Sequence, residues 1–350
     1  MTKKIAVLVM NYNSKKYLPD LFESLKKTDY PEDKWKLVFI DNNSSDDSLQ
    51  YAKDNYPNAK FFAEKTNWGF AEGNNIGYRW ARDSDYDYIV LLNQDTIVTP
   101  HWLRTLVETM EEDKTIGALQ PKILLHPKTE YINNVGNRLH FLGFGYGDQS
   151  GIRDDKYRKD LNKINYCSGA CVMMPIKLIN KIGLFDKEMF MYLEDLDLGW
   201  RISLAGYKNA INPNVNIYHK YNFSRSTKMI GHFEKNRYVC LYKNYKFRTL
   251  LLLLPMLLIM DLGIILFSIK NKWFRKKLWS YAWLLKPSTW KYMRRVKKES
   301  LKIRKLKDKD ILKTFTPVII FQELKNPLLY YIANPIMTVY YYILRLIVQW

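Results

Sequence analysis

Two acidic positions in this chain can do chemistry together. The apolar run Tyr88-Ile89-Val90-Leu91-Leu92 passes through Asn93 and Gln94 to Asp95. A strand that stops on a carboxylate sets a fixed charge at the carboxyl edge of a sheet, where open α/β folds bind ligands. A hundred residues later comes Tyr192-Leu193-Glu194-Asp195-Leu196-Asp197. One such site can hold a metal while the other moves a proton. Mg²⁺ and Mn²⁺ take carboxylate, phosphate and water oxygens, so one or two protein ligands suffice. His219, in Tyr218-His219-Lys220, is a further candidate ligand. A lone histidine is usually structural, and here its company puts the two readings level.

The acidic cluster can be read on a helix running from about residue 193 to 205, each residue advancing by about 100°. Glu194, Asp197 and Arg201 then share a face and can satisfy one another as an intrahelical charge network. Leu196, Trp200 and Leu204 form the core face. Asp195 falls outside both groups, in the first turn, where the helix dipole favours its ionised form. A carboxylate without an arginine partner suits a general base acting on a hydroxyl, which favours Asp195 over Glu194.

Two further motifs accompany these. Asp41 opens Asp41-Asn42-Asn43-Ser44-Ser45-Asp46 at the end of an apolar run and could accept a ring N–H or a sugar hydroxyl. An Asx-turn capping the next helix explains Asn42–Asp46 better. Asn67-Trp68-Gly69-Phe70 starts a helix with Gly69, Gly73 and Gly77 on one face. That spacing allows close approach of a strand or a diphosphate at the helix N-terminus, and tight helix–sheet packing is at least as good an explanation.

The elements that must position these residues follow from periodicity. Apolar runs at Ile5–Met10, Leu37–Ile40 and Tyr88–Leu92, with a short strand at Ala59–Ala63, alternate with helical stretches at 18–25, 45–56 and 70–82. This alternation predicts a mostly parallel sheet with helices on both faces. A helix at Trp102–Glu112 and a strand at Ile116–Leu125 come next, and residues 126–165 read as loops or hairpins.

The net charge of +20 over 350 residues is unevenly placed. Residues 1–235 carry 32 Lys+Arg against 30 Asp+Glu, and residues 236–350 carry 23 against 5. The basic part surrounds apolar stretches, which favours an anionic membrane surface over nucleic acid. Leu250–Phe267 would span about 27 Å as a helix, near bilayer thickness. Pro255, Asp261 and basic residues at both ends argue for an interfacial or re-entrant arrangement instead. Pro327–Trp350 could lie on the membrane, span it, or form a contact between copies of the chain. Cys167, Cys171 and Cys240 make no disulfide framework. The short N-terminal apolar run leads into Asn11-Tyr12-Asn13 and reads as a strand of a cytoplasmic domain rather than a signal peptide.

Taken together, Val9–Asn13, Asp41–Ser44, Asn67–Ala71, Leu92–Thr96, Ser168–Cys171, Gly183–Asp186 and Glu194–Asp197 resemble the inverting family 2 glycosyltransferases of GT-A fold, in particular their rhamnosyltransferase-like members. The resemblance implies an α/β fold with a Rossmann-like, mostly parallel central sheet, plus a C-terminal helical membrane-associated region. It places the catalytic domain at residues 1–240 and the basic helical region at 241–350. It further implies that Asn11, Asn13, Asp41, Asn43, Asn67, Gly69, Phe70, Asn74, Asn93, Gln94 and Asp95 line a nucleotide-sugar site. Asp95 and His219 would hold a divalent cation (Mg²⁺ or Mn²⁺), and Asp195, with Glu194 beside it, would deprotonate the acceptor. Asn93 stands where the full D-x-D motif has its first Asp.

The expected partners are a nucleotide-sugar donor (dTDP-rhamnose first, UDP-sugars next), a glycan or lipid-linked acceptor, and the cytoplasmic face of the cell membrane. The oligomeric state is open to a homo-oligomer, and no nucleic acid is expected. A non-catalytic nucleotide-sugar or RNA-binding protein is the alternative, although no RNA-module signature accompanies the basic tail. A nucleotidyltransferase would open on a Gly-rich phosphate loop, where this chain has Asn11-Tyr12-Asn13-Ser14.

Overall fold

The computed structural model describes residues 2–158, 164–221, 229–320 and 327–350. Residues 159–163, part of the expected loop region, lie outside these. The chain begins as the apolar runs require. Strands β1 (Ile5–Asn11), β2 (Trp35–Asp41), β3 (Lys60–Ala63) and β4 (Tyr88–Leu92) are mutually parallel where they pair. Helices α1 (Leu18–Lys26), α2 (Ser48–Asn55) and α3 (Gly69–Asp83) connect them. Along β1, Ile5, Val7 and Val9 face one core with Leu21 and Phe22 of α1, while Ala6 and Leu8 face the other with Ala71 and Tyr78 of α3. A strand buried on both faces needs apolar residues at every position, hence the unbroken run.

Beyond β4 the sheet becomes mixed. β5 (Thr96–Val98), α4 (Trp102–Glu112), β6 (Ile116–Leu125) and β7 (Ile132–Asn134) are followed by a small hairpin of β8 (Asn137–Leu139) and β9 (Gly145–Gly147). β10 (Cys171–Pro175) then inserts antiparallel between β4 and β6. Helices α5 (Ile176–Ile182) and α6 (Glu194–Leu204) precede β11 (Lys208–His219), which runs parallel to β6 and antiparallel to β5. Among the described residues the strand order is β3-β2-β1-β4-β10-β6-β11-β5, with β7 beside β6.

The C-terminal region is helical: α7 (Ile230–Asn244), α8 (Phe247–Lys270), α9 (Phe274–Leu284), α10 (Pro287–Ile303), α11 (Asp308–Leu312) and α12 (Asn334–Ile347). Residue 240 falls inside α7, and one core crosses it. Trp200 of α6 packs edge-on against Tyr245 and Phe315, with ring centres 4.7 and 4.9 Å away.

Helix α8 is long and apolar enough to cross a membrane, and it runs unbroken through Pro255. One of its faces, with Thr249, Leu253 and Met256, is buried in the protein. The other exposes Phe247, Leu251, Leu254, Leu258, Leu262 and Leu266 as a single stripe at helical spacing. Asp261 points away from that stripe. It accepts hydrogen bonds from Arg237 (3.0 Å), Lys277 (2.9 Å), Tyr238 (2.7 Å) and Tyr281 (2.7 Å). Its carboxylate is therefore satisfied by α7 and α9, which removes the conflict between this charge and its apolar surroundings.

Candidate active site

The parallel register brings the carboxyl ends of three strands together. Asn11 is paired with Asp41, and Leu8 with Leu91, so residues 11–13, 41–44 and 93–95 emerge on one edge of the sheet. Asn11 Nδ2 lies 2.8 Å from Asp41 Oδ1 and 2.7 Å from Ser48 Oγ. The other carboxylate oxygen of Asp41 accepts from the Ser44 N–H at 3.1 Å. Asp41 is thus buried and held in place, and the Asx-turn expected of its neighbours is made by Asp46, whose Oδ1 accepts from Ser48 N at 3.1 Å. Asn13 (φ +48°) caps the turn after Asp41, its Oδ1 accepting from Ser45 N at 2.7 Å, and Asn43 (φ +65°) is exposed at its tip.

The glycine face of α3 packs rather than opening to a ligand. A Cβ at Gly73 would sit 2.7 Å from Met10 Cγ, and one at Gly77 2.9 Å from Ile40 Cδ1. At Gly69 (φ +76°) a Cβ would meet the Phe190 carbonyl oxygen at 2.4 Å. The first turn of α3 is already engaged there, with Ala71 N donating to Phe190 O at 3.0 Å. Asn67 Oδ1 accepts from Gly69 N and from Asn42 Nδ2, fixing the turn. Asn74 is buried and bonds back to Phe70 O within its own helix. The Phe70 ring would lie 3.2 Å from a Cβ at Gly169, so it borders the Ser168–Ala170 turn.

Asp95 sits in the turn between β4 and β5. Because His219 pairs with Thr96, the end of β11 delivers His219 to its side. His219 Nε2 is 3.2 Å from Asp95 Oδ1, and His219 Nδ1 is 2.9 Å from Asn133 Oδ1. In the tautomer whose Nδ1–H donates to that amide oxygen, Nε2 presents a lone pair beside the carboxylate. Two acceptors side by side suit a cation. Among the described residues no three His, Cys, Asp or Glu side chains converge on one point. Asp95 and His219 therefore fit a divalent ion only when ligand oxygens and water complete its shell, as Mg²⁺ and Mn²⁺ allow.

Asp195 reaches this region through a short chain of contacts. Asn134, next to Asn133, accepts from Gln120 Nε2 at 3.0 Å, and Gln120 Oε1 accepts from Ser168 N at 2.8 Å. Gly169 N then donates to Asp195 Oδ2 at 3.4 Å, while Ala170 O accepts from Asn93 N at 2.9 Å. The Ser168–Ala170 turn thus touches both the strand leading to Asp95 and the carboxylate of Asp195.

Asp195 is partly exposed, and no cation pairs with it among the described residues. Behind it lies a cavity of about 10 Å³ lined by Ala118, Val172, Phe185 and Leu198, room for at most a single water. Burial pushes its carboxyl up to about 6, against hydrogen bonds from Leu196 and Gly169 that favour the charged form. The helix dipole does not keep it at the ordinary carboxylate value, yet it is still mostly ionised at neutral pH. Glu194 is driven well above its ordinary value by burial and by the charge of Asp195. Its Oε2 is buried without a hydrogen-bond partner among the described residues.

The expected Glu194–Asp197–Arg201 network forms without Glu194. Asp197 accepts from Arg201 Nε (2.8 Å), Lys243 Nζ (2.8 Å) and Asn244 Nδ2 (2.9 Å). The guanidinium of Arg201 also caps the carbonyls of Ile182 and Gly183, each at 2.7 Å. Glu194 turns into the core instead because Lys243 and Asn244 of α7 complete the Asp197 shell.

One residue escaped sequence reasoning. Phe190, Tyr192 and Leu193, just before Asp195, all have positive φ near +65°. Such non-glycine conformations cost on the order of 1 kcal/mol each and persist only where neighbours enforce them. Asn236 of α7 enforces these. Its buried Nδ2 lies 2.9, 3.1 and 2.7 Å from the carbonyls of Met189, Met191 and Tyr192. The signal was the run Glu234-Lys235-Asn236-Arg237, which is polar yet wholly buried. Asn236→Ala is expected to lower kcat by roughly 10–100-fold, since small misplacements of a reacting group cost that much, with donor KM nearly unchanged. Steady-state kinetics at saturating acceptor would check it.

Architecture and edge geometry define a class, the GT-A glycosyltransferases. The mannosyltransferase PcManGT from Pyrobaculum calidifontis, solved with GDP-Man and Mn²⁺, superposes with a TM-score of 0.52 at 16% identity, covering 86% of this chain and 87% of that one. GalNAc-T7, solved with UDP, GalNAc and Mn²⁺, gives 0.55 at 17% identity over 69% of this chain, which spans about half (48%) of its length. The model described as Glycosyl transferase family 2 matches residues 6–183, and the chain belongs to that family. The matched span includes Asp41 and Asp95 and ends before Asp195 and His219.

Among curated relatives, the N-acetylglucosaminyl-diphospho-decaprenol L-rhamnosyltransferase of Mycobacterium tuberculosis is 24% identical over 242 residues, 63% of this chain and 76% of its own. Rhamnosyltransferase WbbL of Escherichia coli K12 is 24% identical over 225 residues, 61% of this chain and 83% of its own. The chain is thus a family 2 glycosyltransferase that is similar to these rhamnosyltransferases.

Proposed function

We propose that this protein moves a sugar from a nucleotide-sugar donor, dTDP-rhamnose first and UDP-sugars next, to a hydroxyl of a lipid-linked glycan at the cytoplasmic face of a membrane. The observation that carries the reading is Asp195, a partly exposed, unpaired carboxylate tied through the Ser168–Ala170 turn to the strand end that bears Asp95. In the step, Asp195 takes the proton of the acceptor hydroxyl. That oxygen bonds to the anomeric carbon from the face opposite the leaving group. The bond from the anomeric carbon to the diphosphate oxygen breaks, and the nucleoside diphosphate departs with the electron pair. One displacement inverts the anomeric centre.

Asp41, held by Asn11 and Ser44, would accept a base N–H in this reading, with Asn13 and Asn43 on the adjacent turn. Asn67, Gly69, Phe70, Asn93 and Gln94 line the same edge in this reading, and Asn74 supports it from behind. Asp95 and His219 would hold the divalent ion, whose charge would stabilise the departing diphosphate. Asn133 would fix the histidine tautomer. Asp95→Ala is expected to weaken Mn²⁺-dependent donor binding by about tenfold or more. Calorimetry with nucleoside diphosphate, with and without Mn²⁺, checks this, and unchanged metal-dependent affinity would remove the assignment.

Residues 241–350 form the membrane-docking part, sharing a core with the catalytic part. Helix α8 has one face buried in the protein and the other an apolar stripe about 30 Å long, which favours lying in the interface over spanning it. Screening dTDP- and UDP-sugars for diphosphate release with a polyprenyl-linked acceptor tests the overall reading. Release from none of them, with any divalent ion, would refute it.

A further inference from the structure

A cleft of about 610 Å³ opens near the carboxyl end of α12, lined by Lys309, Lys313, Tyr342, Arg345, Leu346 and Gln349. Three of the six are cationic and none is a carboxylate. Tyr342 and Leu346 are 54% and 77% exposed and belong to the outward apolar face of α12, with Ile336, Val339 and Ile343. A positively charged floor therefore meets a greasy rim in one cleft.

Its walls are fixed by packing. Tyr341, buried beside Arg345, has its hydroxyl within reach of the carbonyls of Phe315 (2.9 Å) and Leu312, which flank Lys313. The Arg345 guanidinium lies 5.7 Å from the centre of that ring. Lys309 N donates to Trp350 O at 3.2 Å, and its Nζ donates to Gln349 Oε1 at 3.1 Å. The end of α12 and the 309–313 segment thus hold Lys309 and Arg345 in place, and Lys313 stands exposed at the edge of the same cleft. Trp350 Nε1 donates to Thr249 Oγ1 at 2.9 Å, which ties the chain just beyond α12 to the first turn of α8.

We propose that this cleft binds the anionic phosphate group of a membrane amphiphile, whose apolar chain runs over Tyr342 and Leu346. The chemistry is charge-assisted hydrogen bonding from two ammonium groups and a planar guanidinium, the last suited to bidentate contact with phosphate oxygens. The inference rests on the reading of α8 and α12 as membrane-docking elements. An anionic phospholipid and a polyprenyl phosphate carry the same chemistry, and the test separates them.

The full-length protein is mixed with vesicles of phosphatidylcholine alone, with added phosphatidylglycerol, or with added polyprenyl phosphate, and bound fractions are measured. Wild type is expected to bind an anionic vesicle more tightly than the neutral one. Preference for phosphatidylglycerol identifies bulk lipid as the source, and preference for polyprenyl phosphate identifies the carrier. Each basic residue near a charged surface is worth on the order of fivefold. Lys309→Gln/Lys313→Gln/Arg345→Gln is therefore expected to lose roughly 100-fold, and Lys313→Gln alone, at an exposed position, about fivefold.

Lys291→Gln/Arg294→Gln/Lys298→Gln, on the exposed face of α10, removes the same charge and is expected to lose much less. Equal losses in the two triple variants would overturn the cleft, as would wild-type affinity in the first, while leaving membrane docking intact. Complete displacement from the vesicles by inorganic phosphate would overturn the amphiphile. No binding of wild type to any vesicle would overturn membrane docking and the cleft together.

Discussion

Asp195→Asn is expected to cut turnover by about 10²–10⁴-fold, the usual worth of a positioned general base, with donor affinity left within a factor of two. The amide keeps the shape of the side chain and can still accept the Gly169 N–H, but it cannot take a proton from the acceptor. In the wild type, burial sets the carboxyl at about 6. The base form therefore prevails above that pH, and kcat/KM should fall about tenfold per pH unit below it. The variant should lose this acid limb. A variant with wild-type turnover, or one that keeps the limb, would show that another group takes the proton. Glu194 is poorly placed to replace it, since burial and its neighbour's charge favour its neutral form.

The second large effect is on stability. Asp197 is fully buried, and burial works against its charge, yet Lys243 and Arg201 outweigh that and hold its carboxyl far below the ordinary range. Removing it leaves buried Arg201 without a carboxylate and Lys243 with only Asp186 Oδ2, 3.7 Å away. Asp197→Ala is therefore expected to cost about 3–5 kcal/mol at pH 7, as for other broken buried pairs. The sign of the pH dependence follows from the lowered folded-state value. The contribution is fully present above the unfolded carboxyl value of about 3.9 and is lost as the pH falls through the lower folded one. Urea melts of wild type and variant should differ widely at pH 7 and converge in strong acid. Coincident melts at pH 7 would mean that the charges around residue 197 compensate one another without it.

These two neighbours in sequence, one exposed to chemistry and one locked in structure, show what periodicity can and cannot tell. Helical spacing separated Asp195 from the Asp197–Arg201 pair, because both belong to one local element. It placed Glu194 in the pair as well, since nothing local indicates that Lys243 and Asn244 arrive from α7 to fill the shell. β1, β2 and β4 were legible because a strand covered on both faces reads as an apolar run, and edge strand β3 by its place in the alternation. β11 was not. Its Asn209, Asn212, Pro213, Asn214 and Asn216 break any apolar or alternating pattern, and its register shifts between Asn212 and Asn216. Yet this irregular strand is what carries His219 to Asp95.

The same holds for Asn236. A run of four polar residues normally marks a solvated helix face, and here it is buried because the strained 190–193 turn and Asp261 supply its partners. Asp261, awkward in sequence for a lipid-facing helix, is turned toward Arg237 and Lys277. The glycines of α3, readable either as a diphosphate cradle or as tight packing, pack against Met10 and Ile40.

The account depends on two distant carboxylates serving opposite ends of one bond exchange. The most direct test is a crystal structure with Mn²⁺ and the nucleoside diphosphate of the active donor. It should show anomalous Mn²⁺ signal at Asp95 and His219, the base beside Asp41, and the Asp195 carboxylate facing the open side of the diphosphate. A nucleotide bound elsewhere, or one that leaves Asp195 walled off from it, would contradict the account.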